Sequence, residues 1–172
     1  MNPSILVFGA SGHGKVVADI ALAAGLQVLG FVDDDAAKQA AGLWGLPVMG
    51  WADCVARRAA LGNPRIAMGI GDNRVRQRCQ SRVLQDGFEV ATMVHPSAVV
   101  SPRSRLGLGT VVMALAAVNA DAAVSDGTIL NTGSVVEHDC RVGCFAHLSP
   151  NAALGGGVVI GDRTHLGLGA VV

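Results

Sequence analysis

Aliphatic residues recur at every sixth position from Val94 to Val172. The series runs Val94, Val100, Leu106, Val112, Val118, Val124, Leu130, Val136, Val142, Leu148, Leu154, Ile160, Leu166 and Val172, fourteen positions without an insertion. Four residues after each, from Ser104 on, the side chain is small, as at Thr110, Ala116, Ala122, Cys140 and Ala152. A period of six fits neither an amphipathic helix nor an alternating strand. It fits a solenoid of short parallel strands and turns, with three hexapeptides to a coil. One aliphatic residue per side then points into a narrow prism, and the small residue packs near the corner. Composition agrees: the chain is 51% hydrophobic and 15% charged, but only 3% aromatic, and Phe145 is the one Phe, Trp or Tyr after Phe88. Turns require unusual backbone angles, and Gly107, Asn119, Asn131, Gly143, Gly161 and Gly167, each just after an aliphatic position, are expected to supply them.

Three hexapeptides per coil stack residues that lie eighteen apart. His147 is therefore expected directly below His165, and His138 directly below Gly156, within the run Gly155-Gly156-Gly157. A histidine facing a backbone without side chains has room for a ligand and an N–H nearby. Solenoids end in caps, and Val172 falls in mid-coil, so the complete solenoid is expected to run further.

The first half is different. Ser4 to Phe8 reads as a buried strand, followed at once by Gly9-Ala-Ser-Gly-His-Gly14. Lys15 to Ala24 has helical spacing, Gly25 stops it, and Gln27 to Val32 reads as a second strand ending at Asp33-Asp34-Asp35. This is a βαβ unit with a glycine turn at a helix N-terminus, where backbone N–H groups favour phosphate. A carboxylate after the second strand is placed to accept ribose or base hydrogen bonds. The glycine spacing is not the dinucleotide pattern, and Val16 stands where a phosphate loop needs a hydroxyl for magnesium, which argues against an NTPase. Arg65 to Ile70 reads as a further strand ending at Gly71-Asp72-Asn73. Asn73 to Gln85 reads as a basic helix whose Arg74, Arg76, Arg78 and Arg82 form a solvated face. The chain thus divides into an α/β, Rossmann-like part over 1–92 and an all-β parallel β-helix over 93–172.

Thirteen basic and thirteen acidic residues cancel, which argues against nucleic acid or a membrane surface as partner. The longest uncharged stretches carry Pro, Asn, His and glycines, unlike a membrane span. Cys54, Cys79, Cys140 and Cys144 look like cytosolic thiols, and a cytoplasmic location is expected.

Val7-Phe-Gly-Ala-Ser-Gly-His-Gly14, Phe31-Val-Asp-Asp34, Gly69-Ile-Gly-Asp-Asn73, His95-Pro-Ser-Ala98 and Asn131-Thr-Gly-Ser-Val-Val-Glu-His138 occur in this order. Together they resemble the sialic acid O-acetyltransferase family of bacterial sugar O- and N-acyltransferases, which includes N-acetyltransferases of nucleotide-linked 4-amino sugars. The resemblance implies a left-handed β-helix that uses acetyl-CoA, a nucleotide-sugar-binding N-terminal domain, and a homotrimer with active sites between subunits. By position it implies that Ser11, Gly12 and His13 contact the sugar nucleotide, that Asp33 and Asp34 hold its base or ribose, and that Gly71 lines the same pocket. His138 matches the family's catalytic base. Asp139 stands where the family often has Glu. Asn131 matches a polar residue near the acceptor amine, and His147, with Leu168, falls on the acetyl-CoA side.

The chemistry asks for little. A thioester is already activated, and the attacking amine or hydroxyl must lose a proton, a task suited to histidine near neutral pH. Asp139 would fix the tautomer, and the Gly156 N–H is nominated to hold the oxyanion. Direct transfer without an acyl-enzyme is expected, to an amine of a nucleotide-linked sugar in surface-glycan biosynthesis, with a sugar hydroxyl as the alternative. Rivals of another class are a non-catalytic nucleotide-sugar-binding protein and a zinc enzyme like γ-class carbonic anhydrase, with His138, His147 and His165 as nominal ligands. Their spacing does not suit that zinc site, and no metal is expected.

Overall fold

In a computed structural model, residues 4–172 are described; the first three residues of the expected N-terminal part lie outside them. The order of elements in the first half is β1 (Ser4–Phe8), α1 (Gly12–Ala23), β2 (Gln27–Val32), α2 (Ala36–Ala41), β3 (Val48–Met49), α3 (Trp51–Ala56), β4 (Arg65–Met68) and α4 (Asn73–Gln85). The four strands form one parallel sheet in the order β3-β2-β1-β4. This half holds the chain's Phe and Trp rings except Phe145: Trp51 is buried between Phe8 and Phe88, with ring centroids 5.2 and 5.1 Å away. Its indole Nε1 donates to Asp86 Oδ2 at 2.7 Å. The short elements α2, β3 and α3 carry no periodic pattern to read, because β3 pairs through only two residues.

Helix α1 begins at Gly12, not at Lys15, since Lys15 N already donates to Ser11 O at 3.0 Å. Gly14 is glycine for a packing reason: a Cβ there would collide with the Gly9 carbonyl, while Gly69 packs against the Gly14 Cα.

From Met93 the chain makes two-residue strands every six residues, from β5 (Met93–Val94) to β17 (His165–Leu166). They sort into three parallel sheets, β5-β8-β11-β14-β17, β6-β9-β12-β15 and β7-β10-β13-β16. The sheets include β12 (Val135–Val136), β13 (Arg141–Val142) and β14 (His147–Leu148). Each strand pairs with the one eighteen residues on, as in Ile129 with His147 and Leu130 with Leu148. The second residue of each strand faces inward. Val112, Val118, Val124, Leu130, Val136, Val142, Leu148 and Leu154 form one buried cluster with Ala116, Ala122, Cys140, Ala146 and Ala152 from the corners. Phe145 sits outside this prism, with its ring over Gly127 at a corner.

The corner geometry departs from expectation. Left-handed backbone falls three residues after the aliphatic position, at Gly109, Leu115, Asp121, Gly127, Gly133, Asp139, Phe145, Asn151, Gly157, Arg163 and Gly169. The residues directly after it, including Gly107, Asn119, Asn131, Gly143, Gly161 and Gly167, do not have positive φ. That position instead meets the next coil. A Cβ on Gly107 or Gly143 would strike Asp126 or Asp162, whose carboxylates accept from Leu108 N and Cys144 N at 2.8 Å. Asn119 from the same position reaches Glu137, eighteen residues on, at 2.8 Å.

The two halves pack tightly. The outer face of the first β-helix sheet, at Met93, Val111 and Ile129, joins a core with Val17, Ala18, Ile20 and Ala21 of α1. Arg76 is also part of this junction: it is fully buried, whereas Arg74, Arg78 and Arg82 are exposed. The solvated face expected for α4 therefore excludes Arg76, because the inward face of that helix carries Arg76, Gln80 and Val83. Among the described residues no helix is long and apolar enough to cross a membrane.

Candidate functional site

The glycine turn lies at the C-terminal ends of β1 and β4. Gly9 and Gly14 are occupied with packing, but nothing lies within 4 Å of a Cβ built on Gly12 or on Gly71. These two glycines leave open space around the start of α1. Ser11 is the N-cap, with extended backbone and no side-chain cap on the helix, so the first N–H groups of α1 are available to an anion.

Asp33 closes this turn from β2. Its Oδ2 accepts from Ala10 N at 3.0 Å and from Lys38 Nζ at 2.8 Å, and its Oδ1 from Asp35 N at 3.1 Å. Burial acts to raise its pKa, but the Lys38, Ala10 and Asp35 hydrogen bonds together hold it below the ordinary value. Asp34 is committed elsewhere, to Trp51 N at 2.8 Å and to exposed Arg82 at 3.1 Å. Asp33 thus adjoins the glycine turn while Asp34 anchors the start of α3.

On the first β-helix sheet, His147 faces outward, yet the N-terminal half encloses it. Asn131 Oδ1 accepts from Thr132 N at 2.8 Å, which orients its amide so that Nδ2 donates to His147 Nε2 at 3.0 Å. Asn131 has only donors on that nitrogen, so Nε2 is the acceptor and the proton of neutral His147 resides on Nδ1. Burial first, then the neighbouring His165, Arg76 and His13, push the His147 pKa down to about 4, with the Gly71 backbone acting the other way. His165 stacks above it with centroids 4.7 Å apart and planes 5° apart, and Ser149 Oγ meets His165 Nε2 at 2.9 Å. His13 lies on the other side, 6.2 Å from His147 between centroids. Burial and the Arg76 charge lower its pKa to about 4 as well. His13 Nε2 and His147 Nδ1 are buried without a regular hydrogen-bond partner. A cleft of about 740 Å³ opens here, lined by Gly71 to Arg74, His147, Asp162, Arg163 and His165.

His138 and Asp139 form a second cluster, on the corner between β12 and β13. Asp139 takes the left-handed corner conformation, φ 61°, and its Oδ2 meets His138 Nδ1 at 2.8 Å. The Asp139 hydrogen bond and charge, with Glu137 adding to them, raise the His138 pKa. Nδ1 is taken, so Nε2 is the nitrogen left for a substrate. Gly156 does stack on this histidine: a Cβ there would lie 2.6 Å from Cε1 and 2.7 Å from Nε2 of the ring. Both side chains are well exposed.

The expected site residues therefore fall into two groups within one chain. His13, Gly71, Asn131 and His147 come together beside the first sheet, near Ser11, Gly12 and Asp33; His138, Asp139 and Gly156 occupy a different corner of the prism. Leu168 is exposed at the last corner, after β17. Within one chain, His147, expected on the acetyl-CoA side, lies beside His13 and Gly71, which are expected to contact the sugar nucleotide. Among the described residues no group of three His, Cys, Asp or Glu is placed to hold a metal ion, and the three nominal zinc ligands do not converge. Sequence reasoning missed Asn73 and Arg76 beside this cleft; the signal was the spacing of Arg76 with Gln80 and Val83 on one helix face.

A parallel α/β half with an uncapped glycine turn, joined to a three-sided β-helix with histidines at its edge, defines a two-part hexapeptide-repeat protein. Residues 4–83 match the PglD N-terminal domain family. The chain superposes on the acetyltransferase domain of PglB from Neisseria gonorrhoeae, solved in complex with acetyl coenzyme A, with TM-score 0.88, 37% identity, and coverage of 99% of this chain and 82% of that one. It is similar also to PerB from Caulobacter crescentus, solved in complex with CoA and GDP-perosamine, with TM-score 0.87, 40% identity, and coverage of 98% and 88%. GDP-perosamine N-acetyltransferase of Escherichia coli is 30% identical over 105 residues, 61% of this chain and 48% of that protein. The chain spans about half the length of the curated relatives it matches. It belongs to the sialic acid O-acetyltransferase-like, PglD-like family of bacterial sugar acyltransferases.

Proposed function

We propose that the protein transfers the acetyl group of acetyl-CoA to an amine of a nucleotide-linked amino sugar, a 4-amino sugar in particular, in the making of bacterial surface glycans. The observation that carries this reading is the exposed His138–Asp139 pair against the bare backbone of Gly156. His138 Nε2 takes the proton as the amine attacks the thioester carbonyl, Asp139 stabilises the imidazolium, and the Gly156 N–H holds the oxyanion. CoA leaves as the thiolate and regains a proton, with no acyl-enzyme. Complexes of the similar PerB with GDP-perosamine, and of PglB with acetyl coenzyme A, support the two substrates.

The sugar nucleotide would lie with its phosphates at Ser11, Gly12 and His13, its nucleoside toward Asp33, and its sugar along Gly71 toward Asn131 and His147. Because His138 sits on another corner of the same prism, we read the complete site as shared between neighbouring subunits of a cytoplasmic homotrimer with left-handed β-helices. The outer face of the second sheet supports this, since Val99, Ala117, Val135 and Ala153 make an uncharged ladder that is exposed at Val99 and half-exposed at the other three. The division at 1–92 and 93–172 belongs to the same reading. Acetyl transfer from acetyl-CoA to GDP-perosamine, a UDP-linked 4-amino sugar and sialic acid tests it, comparing the protein with His138→Ala. Transfer to an amino sugar that His138→Ala abolishes is expected; full activity in the variant, or transfer to sialic acid alone, overturns it.

A further inference from the structure

Arg76 is the one arginine with no exposed surface among the described residues, and no carboxylate pairs with it there. Its acceptors come from both halves of the chain. Nη1 donates to Ile70 O at 3.0 Å and Gly71 O at 2.9 Å; Nε donates to Gly127 O at 2.7 Å; Nη2 donates to Asn73 Oδ1 at 2.8 Å, Phe145 O at 3.0 Å and Ala146 O at 3.2 Å. Asn73 extends the junction, since its Nδ2 donates to Arg163 O at 3.0 Å and Thr164 O at 3.3 Å. Burying a guanidinium without a counter-ion is costly and does little for stability that apolar packing would not do. What the planar fork supplies, and neither lysine nor a hydrophobic residue can, is a fixed angle between several acceptors.

Those acceptors bracket the candidate site. Ile70 and Gly71 open the loop whose stretch from Gly71 to Arg74 lines the cleft from the N-terminal half. Ala146 directly precedes His147, and Gly127 and Phe145 are stacked corners of adjoining coils. We propose that Arg76 is a positioning residue for the acceptor site: it fixes the Ile70–Asn73 loop against the coils that carry Asn131 and His147. The proposal rests on the reading of this cleft as the place of the sugar nucleotide. It assigns Arg76 no contact with either substrate.

The test compares the full chain with Arg76→Lys and with Asn73→Ala, the latter removing one arm of the junction while leaving the buried charge in place. KM for GDP-perosamine and a UDP-linked 4-amino sugar is measured against acetyl-CoA affinity, with amide hydrogen exchange across the chain. We expect KM for the amino sugar to rise by about tenfold or more and acetyl-CoA affinity to hold within about twofold. Faster exchange should be confined to residues 70–73 and their contact corners. Equal loss of both affinities, exchange spread evenly over the coils, or no change in either variant would overturn the proposal. Should Arg76→Lys fail to fold, Asn73→Ala decides by the same readings. Should the unaltered protein acetylate no amino sugar, the catalytic reading fails by itself, and the exchange pattern alone decides whether Arg76 holds the loop.

Discussion

His165 lies on His147 with the two rings 4.7 Å apart and within 5° of parallel. The strand register makes this contact inevitable, since His147 pairs with His165 across β14 and β17. The upper ring shields the lower from water and adds to its electrostatic load, both of which disfavour the imidazolium. His165→Ala is therefore expected to raise the His147 pKa toward its ordinary 6.5. A titration of ring nitrogen shifts by NMR checks this; an unchanged or lower value would show that the stack does not hold His147 neutral.

His138 is affected in the opposite sense. Asp139 raises its pKa, and a general base must be neutral to act. The rising limb of kcat/KM against pH is therefore expected above 6.5, and Asp139→Asn should move it to lower pH while slowing the reaction. His138→Ala should cost about a hundredfold to ten-thousandfold in kcat. A pH–rate profile unmoved by Asp139→Asn would remove the carboxylate from this role.

Stability should follow the buried pair. His13 and His147 have pKa values of about 4 in the folded chain against 6.5 ordinarily. Between those values the unfolded chain binds the protons and the folded chain does not, so stability falls as pH falls through this window. Above 6.5 both states are neutral and their contribution is fully present. The melting temperature is expected to drop from pH 6.5 toward 4, and less steeply in His13→Asn. A flat melting temperature across this range in the unaltered protein would contradict the burial of neutral imidazoles.

The six-residue period made the β-helix legible down to its register, because it has one inward residue per strand and no insertion to shift the count. It therefore also placed His147 under His165 and His138 under Gly156. The corner conformation was not legible: Leu115, Phe145 and Arg163 take left-handed angles, and nothing in their side chains advertises it. The coil below holds that shape through backbone hydrogen bonds, such as Phe145 N to Asp126 O at 2.8 Å. The role of Arg76 was hidden for a related reason. A basic helix reads as solvated, and only the carbonyls of a distant β-helix, at Gly127 and Phe145, turn one arginine into a buried junction. Asp33 and Asp34 were adjacent in sequence and indistinguishable there; their separate partners, Ala10 and Trp51, divide them.

Gly156 offers the sharpest separation of site from scaffold. A Cβ at this position would stand 2.6 Å from Cε1 and 2.7 Å from Nε2 of His138, so Gly156→Ala must push the ring away from its bond with Asp139. Both side chains are exposed and can move without opening the core. Activity is therefore expected to fall by about a hundredfold with little change in melting temperature. Gly25→Ala provides the contrast. Gly25 has φ 75° with nothing within 4 Å of its Cβ position, so the substitution only strains the backbone at the end of α1, at about 1 kcal/mol. That variant should melt earlier and keep its turnover when folded. Kinetics and thermal melts of both variants together check the pair. Equal behaviour of the two, whether both active or both merely destabilised, would mean that Gly156 serves the coil and not the His138 ring.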